Sequence, residues 1–180
     1  MIYTYKQCFE KFGSDYQIDS AINDGLIFKI EKGIYSDTKN VSILEIIITK
    51  YPNSIITMDT AFYYHGLTDT IFDKYWIATN KSSRLLRDKR VKQMFVDPKL
   101  FRLGVMTMKK NNIIFNIYDK ERMLIELIRY KNKLPYDYYK EILNSYRNII
   151  LDLDIERIQE YATIFPNSKK ISNILDTEVF

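Results

Sequence analysis

Cysteine is nearly missing from this chain of 180 residues; Cys8 is its one thiol. A single thiol forms neither an internal disulfide nor a metal cluster, so a disulfide-stapled scaffold is excluded and a cytoplasmic protein is expected. Histidine is as scarce, with His65 alone, and no metal or cofactor site is expected. The five glycines, at 13, 25, 33, 66 and 104, are too dispersed for a phosphate-cradling loop or a dinucleotide fingerprint. Long apolar runs are also lacking. Ile46-Ile47-Ile48 is hemmed in by Glu45 and Lys50, far short of the ~18 residues of a membrane span. The opening Met1 to Lys6 does not follow the basic-then-apolar layout of a signal peptide.

What is present describes a folded chain: 46% hydrophobic and 28% charged residues, enough for one ordinary domain or two small ones. The most informative stretch runs from Asn23 to Tyr35. A polar helix end closes on Gly25, and apolar and polar residues then alternate through a turn holding Gly33. This is the pattern of a helix leading directly into a two-stranded hairpin. Before it, Thr4 to Phe12 reads as a helix with Phe9 and Phe12 facing inward beside Tyr5 and Cys8. Gly13 stops that helix, and Ser14 or Asp15 caps the next, which runs to about Asp24. The second helix buries Ile18, Ala21 and Ile22 and presents Gln17, Ser20 and Asn23. Together these elements suggest a winged helix-turn-helix, a module whose second helix enters a DNA groove. Gln17, Ser20 and Asn23 are then the candidates for base edges, and Lys29 and Lys32 for phosphates.

The fold class expected is α+β, with a winged head over residues 1–40 and a mixed α/β domain with a helical end over 41–180. In the second part a helix runs from Val41 to about Tyr51, and Thr57 or Asp59 caps another that ends at Gly66. Strands are expected at Tyr75 to Ala78, Gln93 to Val96, Gly104 to Met108 and Ile113 to Tyr118, the last two joined by a turn at Lys109 to Asn112. Asp119 caps an amphipathic helix with Met123, Leu124, Leu127 and Ile128 on one face. Further helical stripes follow at Ile142, Leu143 and Tyr146, and at Ile155, Ile158, Tyr161, Ala162 and Phe165.

The net charge of +4 is unevenly spread. Residues 81–110 hold ten lysines and arginines against Asp88 and Asp97, a local +8, which leaves −4 for the rest. The head itself has five cations and six anions. Lys81, Arg84, Arg87, Lys89 and Arg90 recur at helical spacing, with Lys92 close behind and Leu85 and Leu86 as a buried anchor. A cationic helical face that meets a polyanion and a merely solvated face both fit that pattern. With so few cations, a single head binds DNA weakly, so an operator needs two molecules or help from the body.

Enzyme signatures are missing. No glutamate is followed two positions later by lysine, as a restriction-type nuclease site requires. Asp152-Leu153-Asp154 has the form of a nucleotidyltransferase pair, but it opens a helix, and Asp154 reads as an N-cap. His65, after two tyrosines near a helix end, reads as structural, and Cys8 as a core thiol.

Three stretches, in order, carry a family resemblance. They are Asp24-Gly25-Leu26-Ile27 through Lys32-Gly33-Ile34-Tyr35, then Tyr51 to Ile56 through Ala61 to Thr68 with its His65-Gly66-Leu67, and then Asp119-Lys120-Glu121-Arg122 with Leu124 to Arg129. The chain resembles the AbiEi family, the antitoxins of type IV (abortive infection) toxin–antitoxin systems. The resemblance implies a head that binds inverted repeats in its own promoter, on double-stranded DNA, and represses a two-gene operon. It also implies a body that opposes a nucleotidyltransferase-like toxin without forming a stable complex. The acidity of the recognition helix, at Asp15 and Asp19, departs from what a repressor needs. Two other readings stand beside this one: a winged protein-interaction module without DNA binding, and an RNA-directed protein using the 81–110 basic patch.

Overall fold

The computed structural model describes residues 1–180. It is a mixed α/β structure with nine helices and two sheets, divided into two compact units, Met1–Ser54 and Ile55–Phe180. No helix is long and apolar enough to cross a membrane.

The first unit contains β1 (Ile2–Thr4), α1 (Tyr5–Phe12), α2 (Asp15–Asn23), β2 (Phe28–Glu31), β3 (Ile34–Ser36) and α3 (Ile43–Lys50). Its sheet is antiparallel with order β1-β3-β2. Strand β1 has no periodic signal of its own and was not expected; it pairs Tyr3 with Tyr35. Thr4 closes a capping box with Gln7 at the head of α1. Gly13, at φ +90°, ends that helix by returning its N–H to the Phe9 carbonyl. Ser14 caps α2 by accepting from the Gln17 amide. The core is Cys8, Ile18, Ala21, Ile27 and Tyr35, flanked by Tyr3, Phe12 and Ile22. Phe9, expected inside, is exposed.

The unit extends beyond the boundary expected near residue 40. Helix α3, capped by a Ser42–Glu45 box, packs on β1 and β3, so it completes the first unit, and the division falls after Ser54.

The second unit contains β4 (Ile55–Ile56), α4 (Met58–Tyr64), β5 (Tyr75–Asn80), β6 (Val91–Val96), α5 (Pro98–Phe101), β7 (Val105–Lys110), β8 (Ile113–Tyr118), α6 (Lys120–Tyr130), α7 (Tyr136–Asn148), α8 (Ile155–Ile164) and α9 (Ser168–Ile174). Its sheet runs β6-β5-β4-β8-β7. The two-residue β4 is the middle strand, antiparallel to β5 and parallel to β8. It is too short to show an alternation, which is why the sequence reading passes over it. Asn111 and Asn112, both at positive φ, make the β7–β8 turn.

Helix α6 buries its expected apolar face of Met123, Leu124, Leu127 and Ile128, and its charged residues too, because every residue from Glu121 to Ile128 is buried. The charges survive burial by pairing. The Arg122 guanidinium donates to Glu126 at 2.7 Å and to the Leu100 carbonyl at 3.2 Å, and it lies over the Tyr118 and Phe165 rings. Glu126 also accepts from Arg129 at 2.6 Å. Asp119 caps the helix through the Arg122 amide and accepts from the Tyr161 hydroxyl at 3.0 Å. Removing charge from water is affordable only when such partners are in place.

Candidate nucleic-acid interface

Two separate groups of residues face the candidate chemistry, one in each unit. In the first, α2 is short and its buried side is fixed by Ile18 and Ala21. Its other side therefore presents Gln17, Ser20 and Asn23, all exposed as expected. The spacing of three keeps them on one side of the helix. Their surroundings are acidic. The Ser20 hydroxyl donates to Asp24 at 3.3 Å. Asp15, in the first turn where a negative charge suits the helix dipole, accepts from the Tyr5 hydroxyl at 2.7 Å. That hydrogen bond raises the Tyr5 pKa. Lys11, Phe12, Tyr16, Gln17, Ser20 and Leu26 are among the residues around a shallow depression of 310 Å³ on this side.

The hairpin holds the two expected cations in solvent. Lys29 lies opposite Tyr35 next to a bulge in β2, and Lys32-Gly33 is the two-residue turn. Gly33 takes φ +79° with open space where a Cβ would go. Its carbonyl accepts from the Tyr5 amide at 2.9 Å, which ties the turn to the start of α1. Glu31, beside Lys32, pairs with Lys50 at 2.7 Å, so an anion next to the turn is already compensated.

The second group corrects the expectation of a cationic helix. Residues 81–90 form no helix; they are the connection between the parallel strands β5 and β6. Leu85, expected to be an anchor, is 70% exposed. The anchor is Gln93 instead. Its amide oxygen accepts from the Leu86 N–H at 2.8 Å, and its nitrogen donates to Thr79 at 2.8 Å and to the Arg84 carbonyl at 3.1 Å. This one side chain pins the loop to the sheet and leaves Lys81, Arg84, Arg87 and Lys89 exposed. Arg90 is not part of that set, because it chelates Asp88 through Nε and Nη2 at 2.9 and 2.7 Å. Lys92 alternates with Gln93 along β6 and so lies on the opposite face of the sheet, with its ammonium 3.8 Å from the Trp76 ring centroid.

Two of the three stretches behind the family resemblance have structural roles. His65 caps α4, and its Nε2 meets the Tyr118 carbonyl at 2.7 Å. Burial pulls its pKa below the usual histidine value. Leu67 is fully inside. Asp119 to Arg122 belongs to the buried ion network, and Asp154 caps α8. The thiol of Cys8 is in the core, where burial raises its pKa.

No protein-family model matches this chain, and no curated protein matches it either. Among solved structures, the Rv2827c protein from Mycobacterium tuberculosis has a similar fold, with a TM-score of 0.67 at 13% identity, over 99% of this chain and 72% of that one. At that identity the similarity concerns fold alone.

Proposed function

We propose that the chain is an antitoxin and autorepressor of the AbiEi kind, non-enzymatic, cytoplasmic and without a cofactor. In this reading, residues 1–40 act as a winged helix-turn-helix. The observation that carries it is the head's geometry: a capped α2 with a polar side of Gln17, Ser20 and Asn23, followed by a hairpin whose turn holds Lys32. A helix of that length fits a major groove, and amides and hydroxyls at such positions read base edges, while the hairpin lysines reach the backbone. The ordered resemblance of three stretches supplies the antitoxin half, in which the body opposes a nucleotidyltransferase-like toxin.

The test is a gel-shift titration with the chain's own upstream DNA, which is expected to show salt-dependent binding to inverted repeats. Replacing Lys29 and Lys32 with glutamate lowers affinity at least tenfold by removing two phosphate contacts. No shift at low salt overturns the repressor reading. One observation favours a second reading, a head that docks a protein: Tyr16 and Leu26 are 83% and 63% exposed on the same side as Gln17.

A further inference from the structure

The body's sheet has one face that carries aromatic rings and is bordered by cations, its middle at Ile77 and Ile117 being buried. Strand register fixes that face. Gln93 lies opposite Ile77, and Phe95 opposite Thr79. Ile77 and Ile117 both pair with Ile56, so Tyr75, Gln93, Phe95, Phe115 and Lys110 share a side. Gln93 holds the 81–90 loop against that side.

Beyond the loop, rings form a chain across the face. Tyr75 meets Phe72 at 4.8 Å, Phe72 meets Tyr64 at 6.0 Å, and Tyr64 meets Phe115 at 5.3 Å. Lys110 sits over Tyr63 and Tyr64, 5.5 and 5.0 Å from the centroids. Near the loop, Phe95 is 44% exposed on the edge strand. The Lys81 amide bonds to the Val96 carbonyl at 2.8 Å, which brings the start of the basic loop next to it.

We propose that this face binds single-stranded nucleic acid, RNA or DNA. Bases stack on Phe95 and Tyr63, and phosphates meet Lys81, Arg84, Arg87 and Lys110. The argument is one of charge and shape. A protein partner would need a strongly acidic surface to match the loop, whereas a nucleic-acid strand supplies both the charges and the flat apolar faces at regular spacing. A duplex hides its bases and leaves the rings without a role. The inference is independent of operator binding by the head.

Fluorescence anisotropy of the full chain with labelled 12-mers of oligo(U) and oligo(dT) tests it, with a 12-bp duplex as comparison. Both single strands are expected to bind more tightly than the duplex, and their order tells RNA from DNA. Phe95→Ala and Tyr63→Ala each weaken binding roughly tenfold, as lost stacking does. Arg84→Gln with Arg87→Gln lowers the slope of log K against log salt by about 1.4. Thermal melts of these surface variants establish that they remain folded. Single-strand binding that persists after Lys29 and Lys32 are replaced with glutamate belongs to the body, and its loss in that variant overturns the proposal, so failure of the repressor reading and failure of this one are separable. No binding at 50 mM salt (roughly the low end of such titrations), or ring substitutions that change affinity less than twofold, overturns the proposal. Equal binding of the duplex by the variant with Lys29 and Lys32 replaced with glutamate, whose head no longer meets phosphates, does so as well.

Discussion

The two units handle charge in opposite ways. The first has six cations against seven anions, and the second 21 against 16. In the first unit the ion pairs keep part or most of their exposure: Lys6 and Glu10 are 3.8 Å apart with side chains 86% and 63% exposed, and Lys50 and Glu31 keep 27% and 26%. In the second, the pair of Arg122 and Glu126 has essentially no exposure, while a separate set of cations stands in solvent on a loop. In the proposed reading the head has polar groups with which to read a surface and little charge with which to hold one. The body has both a charge reserve outside and a charge-dependent core. The comparison separates specificity from affinity, and it also separates surface charge from the charge that holds the fold together.

The sharpest way to break that contrast is to remove one partner from each kind of pair. Arg122→Ala leaves Glu126 buried with only Arg129 beside it, and about 3–5 kcal/mol of the second unit's stability is expected to go. Lys6→Ala, at an exposed i,i+4 pair, costs well under about 1 kcal/mol. Urea unfolding followed through Trp76, the one tryptophan and part of the second unit, reads the first; circular dichroism reads the second. Equal effects would mean that the buried network is dispensable.

The glycines sharpen the same comparison at a smaller scale. Gly33 and Gly104 have nearly the same φ, +79° and +70°, so alanine strains the backbone similarly, by roughly 1–2 kcal/mol. Their neighbourhoods differ. A Cβ on Gly33 meets open space, but on Gly104 it would come 2.7 Å from the Cβ of Arg122 and 3.0 Å from Asp119. Gly104→Ala is therefore expected to lower the thermal midpoint by clearly more than Gly33→Ala, because it also displaces the buried network. If the two shifts match, the close approach carries no energy beyond the backbone term.

These residues also show which parts of the molecule were legible in the sequence. Local signals read well: Ser14, Asp119 and Asp154 as caps, Gly13 as a stop, and the Lys32-Gly33 turn each depend on a few adjacent residues. The outward placement of Gln17, Ser20 and Asn23 follows from a period that α2 keeps. What escaped depends on distant partners. Strand β4 becomes central only through its neighbours, and α3 belongs to the first unit only through its packing on β1 and β3. The basic residues of 81–90 have helical spacing, yet the loop's path is set by one side chain, Gln93, reached from another strand. The charges of α6 made it look half exposed, because their bonds to the Leu100 carbonyl, the Asp154 amide and the Tyr161 hydroxyl leave no trace in the local pattern. The candidate α2 surface was thus readable, whereas the sheet face was not, since strand register alone assembles it.

A bounded effect of pH lies in the second unit, which holds His65, the only histidine. Burial lowers its pKa below the unfolded value, so the unfolded chain binds the proton more readily. Stability associated with this group is present above about pH 6.5 and falls as pH drops toward the folded pKa. Between about pH 6.5 and 5.5 the loss cannot exceed roughly 1.4 kcal/mol, one proton over one pH unit. Asp59 and Asp119 have pKa values raised by burial and act in the opposite sense, stabilising the fold as pH falls. A comparison of His65→Gln with the parent chain, by urea midpoints at pH 7.5 and 5.5 followed through Trp76, isolates the histidine. The parent is expected to lose more stability on acidification than the variant. Identical losses would mean that the ring is protonated as readily folded as unfolded, and that its contact with the Tyr118 carbonyl does not depend on a neutral imidazole.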